Sequence, residues 1–374
     1  MPTFIDFHII QTLPPSNINR DDTGAPKTAV YGGVQRARVS SQAWKRATRR
    51  DFDDLVDVSR LSRRTKRLVE LIGNRILARR GSAVDDAGAL TAAYARAEEV
   101  IKALGMKVEK PRKKADEGAP EPAGQSEYLL FISATQADRL ADLAAGDGAL
   151  DKKAVKEVMK GGNGIDLALF GRMVANDADI NVDAAVQVAH ALSTHAADIE
   201  DDYYTAVDDE NPAADTGAGM IGTVEFSSST LYRFASINVA GLAANLENAE
   251  AAGEAAAAFT RAFVTSMPTG KQNAFGNRTL PDGVVVMVRD MQPVSLVGAF
   301  EEAVPPGPQG FVRASCEQLA AHAKAQGEFV AAPQATWVTR GGPAASALDA
   351  LGERMTLDEL VDRVRTVTAE KAGD

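Results

Sequence analysis

Apolar and polar residues alternate from the start of the chain. In "FIDFHII" (residues 4–10), Phe4, Asp6 and His8 fall on one side of an extended backbone and Ile5, Phe7 and Ile9 on the other, which predicts a strand. "GTVEFSSSTLYRFASINV" (222–239) has the same period, with Leu231, Arg233, Ala235 and Ile237 alternating against Tyr232, Phe234, Ser236 and Asn238. "EYLLFIS" (127–133) and "VVVMVR" (284–289) are two further strand candidates. Helical spacing takes over from Ser40 or Ser41 to about Leu55, near 60–80, in the lysine-bearing "DKKAVKEVMKGGNG" (151–164), over the Ala-rich 252–266, and in 356–370. Residues 12–33, with Pro14-Pro15 and a closing Gly32-Gly33, read as loop. Residues 107–126 are charged, Pro- and Gly-bearing and of low complexity, and read as a mobile loop or insertion tip.

The order strand, helix, strand, strand, helix, strand follows from 4–10, 40–55, 127–133, 224–238, 252–266 and 284–290. This is an α+β pattern, the split βαβ arrangement of ferredoxin-like and RNA-recognition folds, interrupted by long insertions. With 374 residues the chain calls for one large elaborated domain or two. Its 45% hydrophobic and 25% charged residues fit a globular protein. The single cysteine, Cys316, excludes an internal disulfide and suits a reducing compartment. The N-terminus lacks a basic n-region and no apolar run reaches the length of a membrane span, so a cytoplasmic protein without membrane contact is expected.

Charge changes the picture. Between residues 20 and 50, eight Lys and Arg face two Asp, a local balance of +6 in a chain of net charge −10, so the remainder carries −16. The segment "QRARVSSQAWKRATRR" (35–50) has six cations and no acid. Within it Gln42, Lys45, Arg46 and Arg49 share one helix face, and Trp44, Thr48 and Leu55, with Ala47 and Phe52 at the margins, form an inward stripe. Ser40 and Ser41 sit at the helix start, where free N–H groups favour an anion. Arg20, Lys27, Arg36 and Arg38 add cations from the preceding segment, and Gly32-Gly33 allows close approach of a ligand to backbone. A solvated surface helix would intersperse Glu or Asp at i±4, and residues 35–50 contain none, so the pattern favours a polyanion.

Other candidates are weaker. Lys152, Lys153, Lys156 and Lys160 make a second basic cluster, with Asp151 and Glu157 at hand to pair with it. His190 and His195 are five residues apart with no cysteine pair, and read as structural histidines instead of metal ligands. Asp21-Asp22 suits turn hydrogen bonds, "PTGKQ" (268–272) lacks the Ser/Thr of a phosphate loop, and Cys316 has no base partner. No catalytic set, metal site or cofactor is expected.

"INRDDTGAPKTAVYGGVQRARVSSQAWKRATRR" closely resembles the N-terminal signature of the CasC family, the repeated backbone subunit of the type I-E CRISPR-associated complex Cascade. The resemblance continues through "IDLALFGRM" (165–173), "VQVAHALSTH" (186–195), "DDYYTAVDD" (201–209), "GTVEFSSSTLYRFASINV" and "VVVMVRDM", and is loose over 56–126 and beyond about 305. It implies a right-hand shape: a palm of modified RNA-recognition fold (1–55, about 127–150 and 222–374), a helical fingers insertion (about 56–165) and an extended thumb (about 166–221). It further implies a non-catalytic subunit that polymerises along CRISPR RNA, kinks it at regular intervals and presents it to target DNA beside other Cascade subunits. By the same resemblance Arg20, Lys27, Ser40, Gln42, Lys45, Arg46 and Arg49 match positions expected at guide phosphates, joined by Arg36 and Arg38 from the charge pattern. Met173 matches a wedge against bases, and Tyr203, Tyr204 and Thr205 match the thumb tip, where the family usually has Trp-Phe. Lys152, Lys153, Lys156 and Lys160 match a contact surface for target DNA. The competing expectations are a metal-dependent ribonuclease using Asp177, Asp179, Asp208 or Asp209, and a general single-strand binder.

Overall fold

The structure, a computed structural model, describes residues 1–83, 85–110, 122–174, 177–206 and 220–373. Asp208, Asp209 and most of the 107–126 segment lie outside them. The chain is α+β and divides into two compact units: 1–51 with 187–238 and 256–366, and 52–186 with 239–255 and 367–374.

The first unit is built on a large sheet whose centre is the strand Thr3–Ser16, antiparallel to Met220–Asn238 on one side and to Gly283–Asp290 on the other. The sheet continues outward through Ala335–Arg340 beyond 283–290, and through Ala191–Ser193, Val34–Val39 and Thr28–Tyr31 beyond 220–238. Register follows the alternation in the sequence. Ile5, Phe7 and Ile9 pair with Ile237, Ala235 and Arg233, so these six share one face, where Phe7 meets the rings of Phe259 and Phe263 edge-on. The other face packs Ile10, Tyr232, Phe234, Val285 and Met287 against Leu296, Phe300, Cys316 and Leu319. Both faces are covered, so Asp6 and His8 are buried despite their polarity.

Two expectations about the N-terminal region are corrected. The first strand does not stop at residue 10 but runs to Ser16 through Pro14 and Pro15. It does so because the register shifts between Leu13 and Ser16, a bulge that tolerates residues with no N–H to donate. Within the supposed loop, Thr28–Tyr31 and Val34–Val39 form a hairpin closed by Gly32 (φ 59°) and Gly33 (φ 77°), the two positive φ values of a tight primed turn. The closeness that Gly32 permits is to the protein's own backbone, since a Cβ there would lie 1.6 Å from the Glu301 carbonyl oxygen.

The second unit is mainly helical. Leu68–Arg79, Ala87–Ala103, Ala134–Ala144 and Lys152–Lys160 enclose a core of Leu68, Ile72, Ile76, Val100, Leu140, Val155 and Met159. The helix expected near 60–80 begins only at Leu68; before it, Ser62–Thr65 pairs antiparallel with Leu130–Ser133 as a separate two-stranded ribbon. The strand placed at 127–133 is therefore real but belongs to this ribbon and not to the central sheet. That removes the third member of the split βαβ order and moves 127–150 out of the first unit. The stretch 166–221 is likewise divided, at 186/187. The reason is that an apolar run such as "LLFIS" fixes an extended backbone but not its partner.

Candidate nucleic-acid interface

The helix Ser41–Leu55 starts where sequence predicts. Ser40 accepts from the Ala43 amide at 3.3 Å through its hydroxyl, and its own amide donates to Asn19 Oδ1 at 2.8 Å, so the helix start is tied to the preceding loop. Trp44, Ala47, Thr48 and Phe52 are buried, while Gln42 and Arg46 are exposed and Lys45 and Arg49 half-buried. Burial lowers the Lys45 ammonium below the usual lysine range. Leu55, expected in the inward stripe, is 40% exposed, because the helix ends there with Phe52 already filling the inward position.

What holds this helix on the sheet is a residue that spacing alone does not single out. Arg233, 1% exposed, lies with its guanidinium 3.7 Å from the centroid of the Trp44 indole and 4.5 Å from that of Phe263. Nη1 donates to Gln11 Oε1 at 2.6 Å and Nη2 to the Phe263 carbonyl. Among the described residues no carboxylate pairs with it, and burial pushes its pKa down to about 9. On the sequence Arg233 reads only as one position in an alternating strand.

Arg36 leaves the set of residues that can meet a ligand. It is fully buried: Nε donates to the Tyr31 carbonyl at 3.2 Å, Nη1 to Ser193 O at 3.1 Å, and Nη2 to Phe300 O at 2.9 Å and Glu301 O at 3.3 Å. Arg38, two residues on, is half-buried; it donates to Thr28 O at 3.0 Å and contacts His190 Nδ1 at 3.1 Å. Burial, Arg38 and Lys27 together hold the exposed His190 imidazole below its ordinary pKa. Lys27 and Arg38 also line a small cleft with Asn17, Asn19, Ser227 and Ser229, a concavity of cations, amides and hydroxyls. Arg20 is exposed at the mouth of the same loop, where its backbone bridges Pro26. The loop is shaped by Asp21, whose carboxylate accepts from Thr23 and Ala25 amides at 2.9 and 3.0 Å, the turn role expected of it.

The strand Glu200–Ala206 pairs with Met220–Phe226 as a ribbon, and Tyr203 (64% exposed), Tyr204 (38%) and Thr205 stand on it in the open. In the second unit, Met173 is 87% exposed. It follows Arg172, whose buried guanidinium donates to the carbonyls of Ile180 and Phe131 at 2.9 and 3.0 Å. The four lysines of Lys152–Lys160 divide into two pairs. Lys156 binds Asp177 at 2.7 Å and Asp179 at 3.5 Å, and Lys160 binds Glu157 at 2.7 Å, whereas Lys152 and Lys153 are exposed at the helix start. Asp177 and Asp179, the acids considered for metal chemistry, are thus engaged by a lysine.

His195 is structural: it stacks on Phe311 at 3.6 Å, its Nδ1 lies 2.7 Å from the Ala196 carbonyl, and Nε2 accepts the Thr230 amide at 3.1 Å. Cys316 is buried and its thiol is pushed up to about 12. Among the described residues no group of three or more His, Cys, Asp or Glu is placed to hold a metal ion, and no helix is long and apolar enough to cross a membrane.

Residues 5–363 match the family of CT1975-like proteins. Among solved structures, a chain of a CRISPR RNA-guided surveillance complex, pre-nicking, is 36% identical with a TM-score of 0.81, over 96% of this chain and 100% of that one. A chain of a second CRISPR RNA-guided surveillance complex is 31% identical with a TM-score of 0.69, over 96% and 99%. No curated protein matches the chain.

Proposed function

Since the chain belongs to the CT1975-like protein family, the CasC family of Cascade backbone subunits, we propose that it binds CRISPR RNA through phosphates and polymerises along it without cutting. The observation that carries the reading is the Ser41–Leu55 helix, which turns Gln42, Lys45, Arg46 and Arg49 outward over a buried Trp44–Thr48 stripe, its acids confined to Asp51, Asp53 and Asp54 in the C-terminal part. Phosphate contacts are indifferent to base identity, as a guide of variable sequence requires, and base pairing then supplies specificity. Arg20, Lys27, Arg38 and Ser40 extend the cationic surface around the Lys27–Arg38 cleft. Met173 in the second unit, and Tyr203 and Tyr204 in the first, supply exposed soft and aromatic surfaces on which any base can stack, with the Thr205 hydroxyl next to Tyr204; these are the groups proposed to kink the strand. For target DNA the lysines without a carboxylate among the described residues are Lys152 and Lys153, with Lys156 and Lys160 reached only after their carboxylates are displaced.

Replacing Lys45, Arg46 and Arg49 together with Ala tests the reading. The salt slope of binding to a single-stranded 30-nucleotide RNA is expected to shrink by about 2, at roughly 0.7 per lost contact. An unchanged slope in a folded variant rejects the assignment of this helix to phosphates. Regularly spaced fragments of a matched RNA incubated with the assembled complex and magnesium would reject the non-catalytic part.

A further inference from the structure

The second unit carries cations of two kinds. Most of those on and beside its helices, Arg139, Lys152 and Lys153 aside, are matched by acids: Arg67 with Glu70, Arg75 with Asp138 at 3.1 Å, Arg79 with Asp138 and Asp142, Arg80 with Asp147 at 2.9 Å, and Arg96 with Glu99. Arg63, Arg64 and Lys66, on and just after the Ser62–Thr65 strand, have no carboxylate partner among the described residues. Arg63 and Arg64 are exposed and Lys66 is half-buried. An ordinary solvated surface explains the first group and not the second.

The strand that bears them is firmly placed. The Ser62 amide donates to Asp166 Oδ1 at 2.7 Å, and Gly164 approaches so closely that a Cβ there would lie 2.5 Å from Ser62 Oγ. Arg64 stands opposite Phe131 across the ribbon, and directly opposed side chains share a face. Phe131 in turn clusters with Leu167 and Val182. The Phe131 carbonyl accepts from Arg172 Nη1 at 3.0 Å, while the Arg172 backbone exchanges both hydrogen bonds with Val182 at 2.9 Å. Met173 is the next residue. The ribbon that carries Arg64 and the segment that projects Met173 are therefore two sides of one packed cluster.

We propose that Arg63, Arg64 and Lys66 form a second phosphodiester-binding strip, set beside Met173, that holds a nucleic-acid strand where the methionine meets its bases. A methionine pressed between bases leaves the flanking phosphates close by, and unpaired guanidiniums on a fixed strand are suited to receive them. This rests on the reading of the chain as a nucleic-acid binder, but not on the Ser41–Leu55 helix. The competing explanation is that charges on a short, two-stranded ribbon only keep its edge from pairing with other strands.

The test uses the full chain and three triple-alanine variants: Arg63, Arg64 and Lys66; Lys45, Arg46 and Arg49; and Arg67, Arg75 and Arg80, which removes equal charge from paired positions. Each is titrated with salt against a 30-nucleotide RNA, and again, preloaded with that RNA, against its complementary DNA. The strip variant is expected to lose about 2 from the salt slope in at least one arm, with the paired-cation variant unchanged. The arm in which the loss occurs names the strand held. Equal slopes for the strip variant and the unsubstituted chain in both arms, or the same loss in the paired-cation variant, overturn the proposal. A loss confined to the Lys45/Arg46/Arg49 variant overturns it while leaving the proposed function standing. A loss confined to the strip variant supports it and rejects the helix assignment.

Discussion

Arg233 lies under Trp44 with no acid among the described residues paired to it, and two aromatic faces and two oxygen acceptors replace the water it gave up. Arg233→Ala would leave Gln11 and the Phe263 carbonyl short of a donor and open a cavity beneath the indole. A loss of about 3 kcal/mol is expected from urea unfolding, with Arg233→Lys intermediate because it keeps the charge but not the planar fork. Hydrogen exchange checks the local part: amides of residues 43–51 should lose protection before those of 283–290. Arg36 and Arg38 make the same point from the other side. Both are arginines two apart on one strand, yet four carbonyls of the protein's own backbone absorb the first, while the second keeps company with Lys27 and His190 at a cleft. Residue type offered no means of separating them, because the carbonyls come from Ser193, Phe300 and Glu301, far along the chain.

Among elements, the Ser41–Leu55 helix was legible almost to the residue, since a serine start, a run of cations on one face and an apolar stripe are all local signals. The Ser62–Thr65 strand was not: "SRRT" has too few residues to show a period and is extended only because Leu130–Ser133 pairs with it. The Glu200–Ala206 ribbon bears the aromatic pair in the open, so its contribution to binding should be stacking and not charge. Replacing Tyr203 and Tyr204 with Ala is expected to weaken single-strand RNA binding by about 1–3 kcal/mol per lost base stack, read by fluorescence anisotropy, with the salt slope unchanged. A changed slope would mean that these residues act on phosphates instead.

At the scale of the whole molecule, covering both faces of the central sheet buries two titratable groups on one strand, with opposite consequences. Burial raises Asp6 to about 6, partly offset by the Val294 amide and Arg289, so its contribution to stability is full near pH 4 and is lost as pH rises through about 6. Burial lowers His8 to about 3, so its contribution is full above its ordinary value and is lost as pH falls from there toward 3. Between pH 4 and 6 the two slopes, each up to about 1.4 kcal/mol per pH unit, oppose one another. His8→Gln should therefore gain about 2 kcal/mol relative to the unsubstituted chain on going from pH 6 to pH 4, and Asp6→Asn should show the reverse, both by urea unfolding at fixed pH.

Neighbours within a few residues were enough to set the alternating strands, the basic helix and its outward cations, the turn made by Asp21, and the family signature. Long-range packing fixed the rest: which strand pairs with which, which arginine is swallowed by backbone carbonyls, that Lys156 holds Asp177, and that Arg233 seats the helix. The physical reason is that local pattern selects a backbone conformation and a face, whereas burial and most partners of buried or paired charges come from groups that lie from about twenty to more than two hundred residues away.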